Sequence, residues 1–195
     1  MDAVIEPAAE TIRITSHRQY HAADQLSPQN VPPNPLELFR VWFKEAHGGT
    51  VLEPEAMALS TATAAGIPST RFVLLKEVDA RGFIFFTNYD SRKSKEIQEN
   101  PHASISLYWR ELHRQVRAVG KVEKISKQES YEYFKTRPLG SRIGAWASPQ
   151  SSVITENELP ERFVEFKDRF SVADGEADKD IPIPDYWGGW RIVPL

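Results

Sequence analysis

A mainly β fold with flanking helices, closed as a small antiparallel barrel, is what this sequence predicts, and three observations carry the expectation. Between residues 56 and 125, runs of strand length rich in apolar and β-branched residues are separated by turn residues. Most links between these runs are short enough for hairpins and too short for parallel crossovers. Helical periodicity is confined to the flanks, apart from one short crossing segment after residue 90.

Residues 1–34 are polar, end in the proline-rich PQNVPPNP, and read as a flexible N-terminal arm. A helix is expected from Pro35, with Asn34 as its N-cap. Leu36, Phe39, Trp42 and Phe43 recur at helical spacing on its core face, and Gly48-Gly49 ends it. Strands follow over Ala56–Ala64, Ser69–Glu77 and Phe83–Thr87, with turns at Ala65-Gly66 and Asp79–Gly82. Asp90 or Ser91 caps a short helix that stops near Asn100-Pro101. Ala103–Trp109 and Gln115–Ile125 supply two further strands.

Beyond them, a helix over Lys127–Thr136 is interrupted by Pro138, and a second covers roughly Leu139–Trp146. An amphipathic helix over about 156–170 places Leu159, Phe163, Phe166 and Phe170 on one side. Residues 171–186 form an acidic, proline-containing loop, and Trp187–Leu195 opens another strand. The folded part is therefore a single domain over 35–195, without internal repeats.

Composition narrows the function. Hydrophobic residues make up 41% of the 195, enough for a core, yet no uninterrupted apolar run approaches the roughly 20 residues of a membrane helix. MDAVIEPAAE at the N-terminus lacks the basic and apolar blocks of a signal peptide. The chain has no cysteine, which excludes disulfides, thiolate metal sites and a cysteine nucleophile. Its absence suits a reducing compartment, so a cytoplasmic location and no membrane partner are expected. The five histidines (17, 21, 47, 102, 113) lack metal-ligand spacing, and no metal is expected. Neither a GxGxxG nor a P-loop pattern is present.

Charge is distributed unevenly: residues 71–150 hold 15 Lys/Arg against 9 Asp/Glu, and the rest holds 9 against 18. A basic centre in an acidic chain points to an anionic ligand. The basic residues are mixed with apolar strands rather than gathered in a block, which favours a compact phosphate compound over nucleic acid.

Three segments could hold such an anion. In Arg71-Phe72-Val73-Leu74-Leu75-Lys76 a cation stands at each end of an apolar strand. On spacing alone, two cations that merely cap a strand at the sheet rim are the favoured reading, and alternation places Arg71 and Lys76 on opposite faces. If both serve one site, a bulge or two adjacent ligands are needed. Ser91, Arg92 and Lys93 begin the short helix, where free N–H groups, the helix dipole and two cations could cradle a phosphate. Their other reading is an ordinary capped, solvated helix. Tyr133 and Arg137 share a helix face, with Ser141 beyond the proline break, and together suit a phosphate monoester. As isolated polar residues the same three serve as surface caps.

Several blocks together resemble the pyridoxamine/pyridoxine 5′-phosphate oxidase family: RFVLLK (71–76), FFTNYDSRKSKEI (85–97), RQVRAVGKVEKIS (114–126), YFKTRP (133–138), IGAWASPQSS (143–152) and WGGWRIVP (187–194). The resemblance spans about residues 35–194. It implies an FMN-binding split β-barrel and a homodimer, with FMN at the subunit interface. By position, FMN would be held by Arg71, Phe72, Val73, Leu74, Leu75, Lys76, Phe86, Thr87, Arg92, Lys93, Gln115, Gln150 and Ser151. Lys76, Tyr133, Arg137 and Ser141 would hold the substrate phosphate, so that Arg71 and Lys76 serve different ligands. Phe86 stands where many members have tyrosine.

The implied reaction oxidises pyridoxamine or pyridoxine 5′-phosphate at C4′ to pyridoxal 5′-phosphate. O₂ is the final acceptor and H₂O₂ is released. No catalytic side chain is expected, since the redox power belongs to the flavin. Family members continue past WGG-x-R with a further strand, a Trp contact to FMN and an Arg-x-His segment over the substrate ring. The sequence ends at Leu195, so impaired activity, or a flavin- or pyridoxal-phosphate-binding role without efficient turnover, is the alternative expectation. Tyr20, with His17 at a position where some members have Arg, is the weakest point of the match.

Overall fold

The computed structural model describes residues 5–8, 11–14 and 26–195. Half of the arm, including His17 and Tyr20, lies outside the described residues. Within it, β1 (Ile5–Ala8) pairs antiparallel with β2 (Thr11–Ile14).

Helix α1 (Pro35–Gly48) starts as its sequence predicts: Asn34 Oδ1 accepts from the Leu36 N–H at 3.0 Å, and Pro35 fills the first turn. Its apolar stripe packs on the barrel, where Phe39 meets Phe83 edge-on at 5.0 Å and Trp109 at 6.0 Å.

Seven strands form the main sheet: β3 (Ala56–Ala62), β4 (Pro68–Leu74), β5 (Glu77–Val78), β6 (Phe83–Asn88), β7 (His102–Trp109), β8 (Arg114–Lys124) and β9 (Trp187–Pro194). Their order is β4-β3-β7-β8-β9-β6-β5, with every pairing antiparallel. Alternation puts Met57, Leu59, Phe83, Phe85, Ile105, Leu107, Val122 and Ile192 inside. The segment from Trp187, expected as the start of a strand, is a central one between β8 and β6.

One difference from the sequence reading matters for the site. The strand expected over Ser69–Glu77 stops at Leu74, and β5 is a separate piece. Between them the Leu75 N–H donates to Glu55 O beside β3, while the Lys76 N–H donates to Ile84 O on β6, both at 2.9 Å. The chain thus crosses from one edge of the sheet to the other within two residues. Elsewhere β4 and β6 are not hydrogen-bonded, and the barrel is split between them.

Helix α2 (Arg92–Glu99) follows β6, and α3 (Lys127–Thr136) and α4 (Leu139–Ala147) follow β8. Helix α5 (Glu158–Arg169) packs on α4 around Phe134, Ile143, Phe166 and Trp187. Among the described residues no helix is long and apolar enough to cross a membrane, and no group of side chains could hold a metal ion.

Candidate functional site

The split opens into a cavity of about 810 Å³, near the upper end of the roughly 300–1,000 Å³ common for ligand sites. β4 forms one wall and β6 the other. The start of α2 and the ends of α3 and α4 close the rest.

At the α2 end the cations are arranged by a buried acid. Glu96, one turn into α2, accepts from Thr61, Ser69, Arg92 Nε (2.9 Å) and Arg71 (3.3 Å), with its side chain only 5% exposed. Burial alone would raise the pKa of this carboxyl, but those donors outweigh it and lower it to about 2. Arg71 also donates to Leu59 O at 3.2 Å and to Thr61, so its guanidinium has one orientation. The order β3-β4 brings these groups together, since Leu59 stands opposite Arg71 in the ladder.

Lys93 differs from its neighbours. Its Nζ is buried and meets only neutral oxygens: Thr87 Oγ1 at 3.2 Å, Ser91 Oγ at 3.3 Å and Gln150 Oε1 at 3.1 Å. Burial, with Arg71 adding repulsion, lowers its pKa to about 8. Ser91 is the N-cap by position, yet its hydroxyl donates back to Asn88 O at 2.7 Å and no side chain caps α2. The first turn of the helix therefore presents its N–H groups and dipole to an anion.

At the opposite end the polar groups rest on aromatic rings. Phe86 stacks on Tyr133 at 3.9 Å and on Trp187 at 5.5 Å, giving a nearly parallel platform. The Arg137 guanidinium lies over Trp187 at 4.7 Å, and its Nη1 is buried without a hydrogen-bond partner among the described residues. Burial lowers the pKa of Arg137 and raises that of the Tyr133 phenol. Ser141 lies in the first turn of α4, which also has no side-chain cap.

Of the expected residues, Arg71, Phe72, Val73, Leu74, Lys76, Phe86, Thr87, Arg92, Lys93, Gln150 and Ser151 line this one cavity, as do Tyr133, Arg137 and Ser141. Arg71 and Lys76 share it because the strand breaks before Lys76, so alternation does not run through to it. Leu75 does not line it: its side chain is buried in the core, turned toward α1. Gln115 does not either, being exposed at the start of β8 opposite Tyr108. Sequence reasoning missed Glu96, whose role depends on a long-range pairing, and Trp187 as a cavity wall. The only signal for Trp187 was its place at the head of the WGGW motif. No carboxylate or imidazole lines the cavity among the described residues.

A family model described as pyridoxamine 5′-phosphate oxidase matches residues 43–166. The chain belongs to the pyridoxamine 5′-phosphate oxidase family. A pyridoxine/pyridoxamine 5′-phosphate oxidase of Cyanothece sp. is 46% identical over 184 residues, covering 94% of this chain and 84% of that protein. One of the same name from Burkholderia thailandensis is 49% identical over 178 residues, covering 91% and 80%. Among solved structures, PhzG from Burkholderia lata in complex with tetrahydrophenazine-1-carboxylic acid has a TM-score of 0.78 at 32% identity, covering 88% and 82%. A pyridoxamine 5′-phosphate oxidase-related, FMN-binding protein from Nostoc punctiforme shares the fold, with a TM-score of 0.61 at 16% identity over 87% and 81%. Family membership and the split β-barrel thus agree with the sequence reading, and the family is one of oxidoreductases.

Proposed function

We propose that the chain is an FMN-dependent oxidase that converts pyridoxamine or pyridoxine 5′-phosphate to pyridoxal 5′-phosphate. The observation that carries this reading is one cavity lined by two separate sets of groups suited to phosphate, Arg92 and Lys93 at the start of α2 and Tyr133, Arg137 and Ser141 around α3 and α4.

The residues present fit FMN. Lys93 is buried without a carboxylate partner, and the uncapped start of α2 with Arg92 beside it completes a cradle for a phosphate monoester. When bound, FMN would supply the two-electron oxidation and pass the electrons to O₂, giving H₂O₂. Thr87 and Gln150 hold Lys93 in place, and Arg71, fixed by Glu96, adds positive charge at the same end. Lys76, Tyr133, Arg137 and Ser141 grip the substrate phosphate. The Phe86–Tyr133–Trp187 platform closes that end against water. The chain's part is therefore orientation, and among the described residues no carboxylate or imidazole in the cavity is placed to act as a base.

A homodimer belongs to the same reading. The register places Phe72, Ala58, Ser106 and Arg117 on one outer face, with Tyr108 and Gln115 beside them. Phe72, Leu74, Tyr108 and Val119 lie exposed on this face, and its centre is built of small residues. A second copy seated there would cover the apolar patch.

PhzG holds a carboxylate ligand without phosphate, so the substrate class is the point to test. Purified protein loaded with FMN should consume O₂ with pyridoxamine 5′-phosphate and lose most of that activity with unphosphorylated pyridoxamine. Equal rates with the two amines, or binding of pyridoxal 5′-phosphate without turnover, would refute the reading.

A further inference from the structure

The WGGWR segment of β9 touches the cavity only through Trp187, yet Gly188, Gly189 and Arg191 beyond it bear on α3, while Trp190 turns to the core and bonds to Ser94 on α2. A Cβ at Gly188 would lie 2.3 Å from the Tyr89 hydroxyl and 3.0 Å from Ser130 Oγ. One at Gly189 would lie 2.5 Å from Ile125, just ahead of α3. The bare backbone lets the helix sit directly on the strand, where the Gly189 N–H donates to the buried Ser130 hydroxyl at 3.2 Å. Arg191 then reaches Glu129, the neighbour of Ser130, at 3.3 Å.

Glu129 is already committed to the helix start. Its Oε2 accepts from the Ser126 N–H at 2.9 Å while Ser126 caps the Glu129 N–H, a reciprocal capping box. Its other oxygen takes Arg191. That ion pair therefore fixes the first turn of α3 to the sheet, not merely a surface side chain. Arg191 is itself held by Asp79 at 2.6 Å, on the same nitrogen that meets Glu129, and by Glu123 at 3.2 Å on the other, with its side chain only 6% exposed. Tyr133 follows Glu129 by one helical turn and Arg137 by two, about 6 and 12 Å along the axis.

We propose that Arg191 is a positioning residue: through Glu129 it seats α3 on β9 and so sets where Tyr133 and Arg137 stand in the cavity. The inference rests on the substrate-phosphate role given to those two residues above. The pair holds the Glu129 carboxyl below its ordinary range together with the Ser126 donors, which are the larger cause.

Three variants of the FMN-loaded protein test it. Arg191→Met removes the anchor. Glu129→Gln keeps an acceptor for the capping box but breaks the ion pair. Glu123→Gln also removes an Arg191 carboxylate, but one on β8 rather than on α3. Steady-state KM and kcat for pyridoxamine 5′-phosphate are measured together with FMN affinity and Kd for pyridoxal 5′-phosphate. A small misplacement of a binding group costs much, so Arg191→Met should raise KM and Kd about tenfold with FMN affinity unchanged. Glu129→Gln should raise them about threefold, in keeping with the modest worth of a half-exposed pair, and Glu123→Gln less than twofold. The double variant Arg191→Met/Glu129→Gln should be no worse than Arg191→Met alone.

Equal effects of Glu129→Gln and Glu123→Gln would overturn the proposal, as would losses confined to thermal stability. If Arg191→Met does not fold, the two glutamine variants decide. An unmodified chain that binds pyridoxal 5′-phosphate without turnover would count against the oxidase reading, while the Kd comparison would still judge the role of Arg191.

Discussion

The two ends of the cavity hold anions by different means. At the α2 end a buried carboxylate, Glu96, orients two arginines before any ligand arrives. At the α3 end Arg137 has ring faces beneath it and a buried nitrogen still without a partner among the described residues. A grip whose orientation is already fixed loses little freedom on binding and suits a resident cofactor. A cation resting on rings can gain and lose an anion without stranding a carboxylate, which suits a ligand exchanged at every turnover. If so, lesions at one end should leave the affinity of the other nearly untouched.

The largest separation is expected from Lys93→Met. Removing a charge-assisted phosphate contact should weaken FMN by about a hundredfold, read by flavin fluorescence titration. Because Lys93 is a buried charge facing only neutral oxygens, the apo-protein should melt no lower, and the KM of the fraction that still binds FMN should stay within about twofold. Loss of both affinities together would erase the distinction between the ends.

Next comes Arg137→Ala, with an expected rise of about tenfold or more in KM for pyridoxamine 5′-phosphate and no change in FMN affinity. Arg137→Lys should recover little of it, since an ammonium cannot lie flat on Trp187 and reach the phosphate in a fork.

A smaller effect should follow pH. Lys93 titrates at about 8 in the folded chain against an ordinary 10.5, so between those values the unfolded state binds the extra proton. This group's contribution makes the apo-protein more stable as pH rises through that window. FMN affinity should run the opposite way, falling several-fold above pH 8 as the cradle loses its charge. Lys93→Met should flatten that decline, and a slope unchanged in the variant would assign it to another group. The smallest expected effect is that of Tyr133→Phe. The stack on Phe86 at 3.9 Å survives and only the hydroxyl is lost, so KM should rise by a few-fold.

Much of this architecture was legible because the signals were local. Asn34-Pro35 fixed the start of α1, and alternation fixed β3, β7 and β8 to within a residue or two. The family resemblance supplied the fourteen expected residues that line one cavity. What was not legible depends on contacts between distant positions. The break at Leu75–Lys76 follows from hydrogen bonds to Glu55 and Ile84 on opposite edges, which no local pattern announces. Glu96 has no local signal of its own, because the hydroxyls over it, Thr61 and Ser69, arrive on β3 and β4. Arg191 read as a strand residue, and its three carboxylates come from three separate segments.

The split also bears on how the fold breathes. Over most of their length β4 and β6 have no ladder bonds to each other, and the only covalent bridge between these edges is Leu75–Lys76. Whatever fills the cavity takes the place of the missing rungs and lends its binding free energy to the native state. Amides along β4 should therefore exchange with deuterium through local opening when the cavity is empty. They should move toward the protection of the central strands when it is filled, making the edge strand a reporter of occupancy far more sensitive than the core it borders.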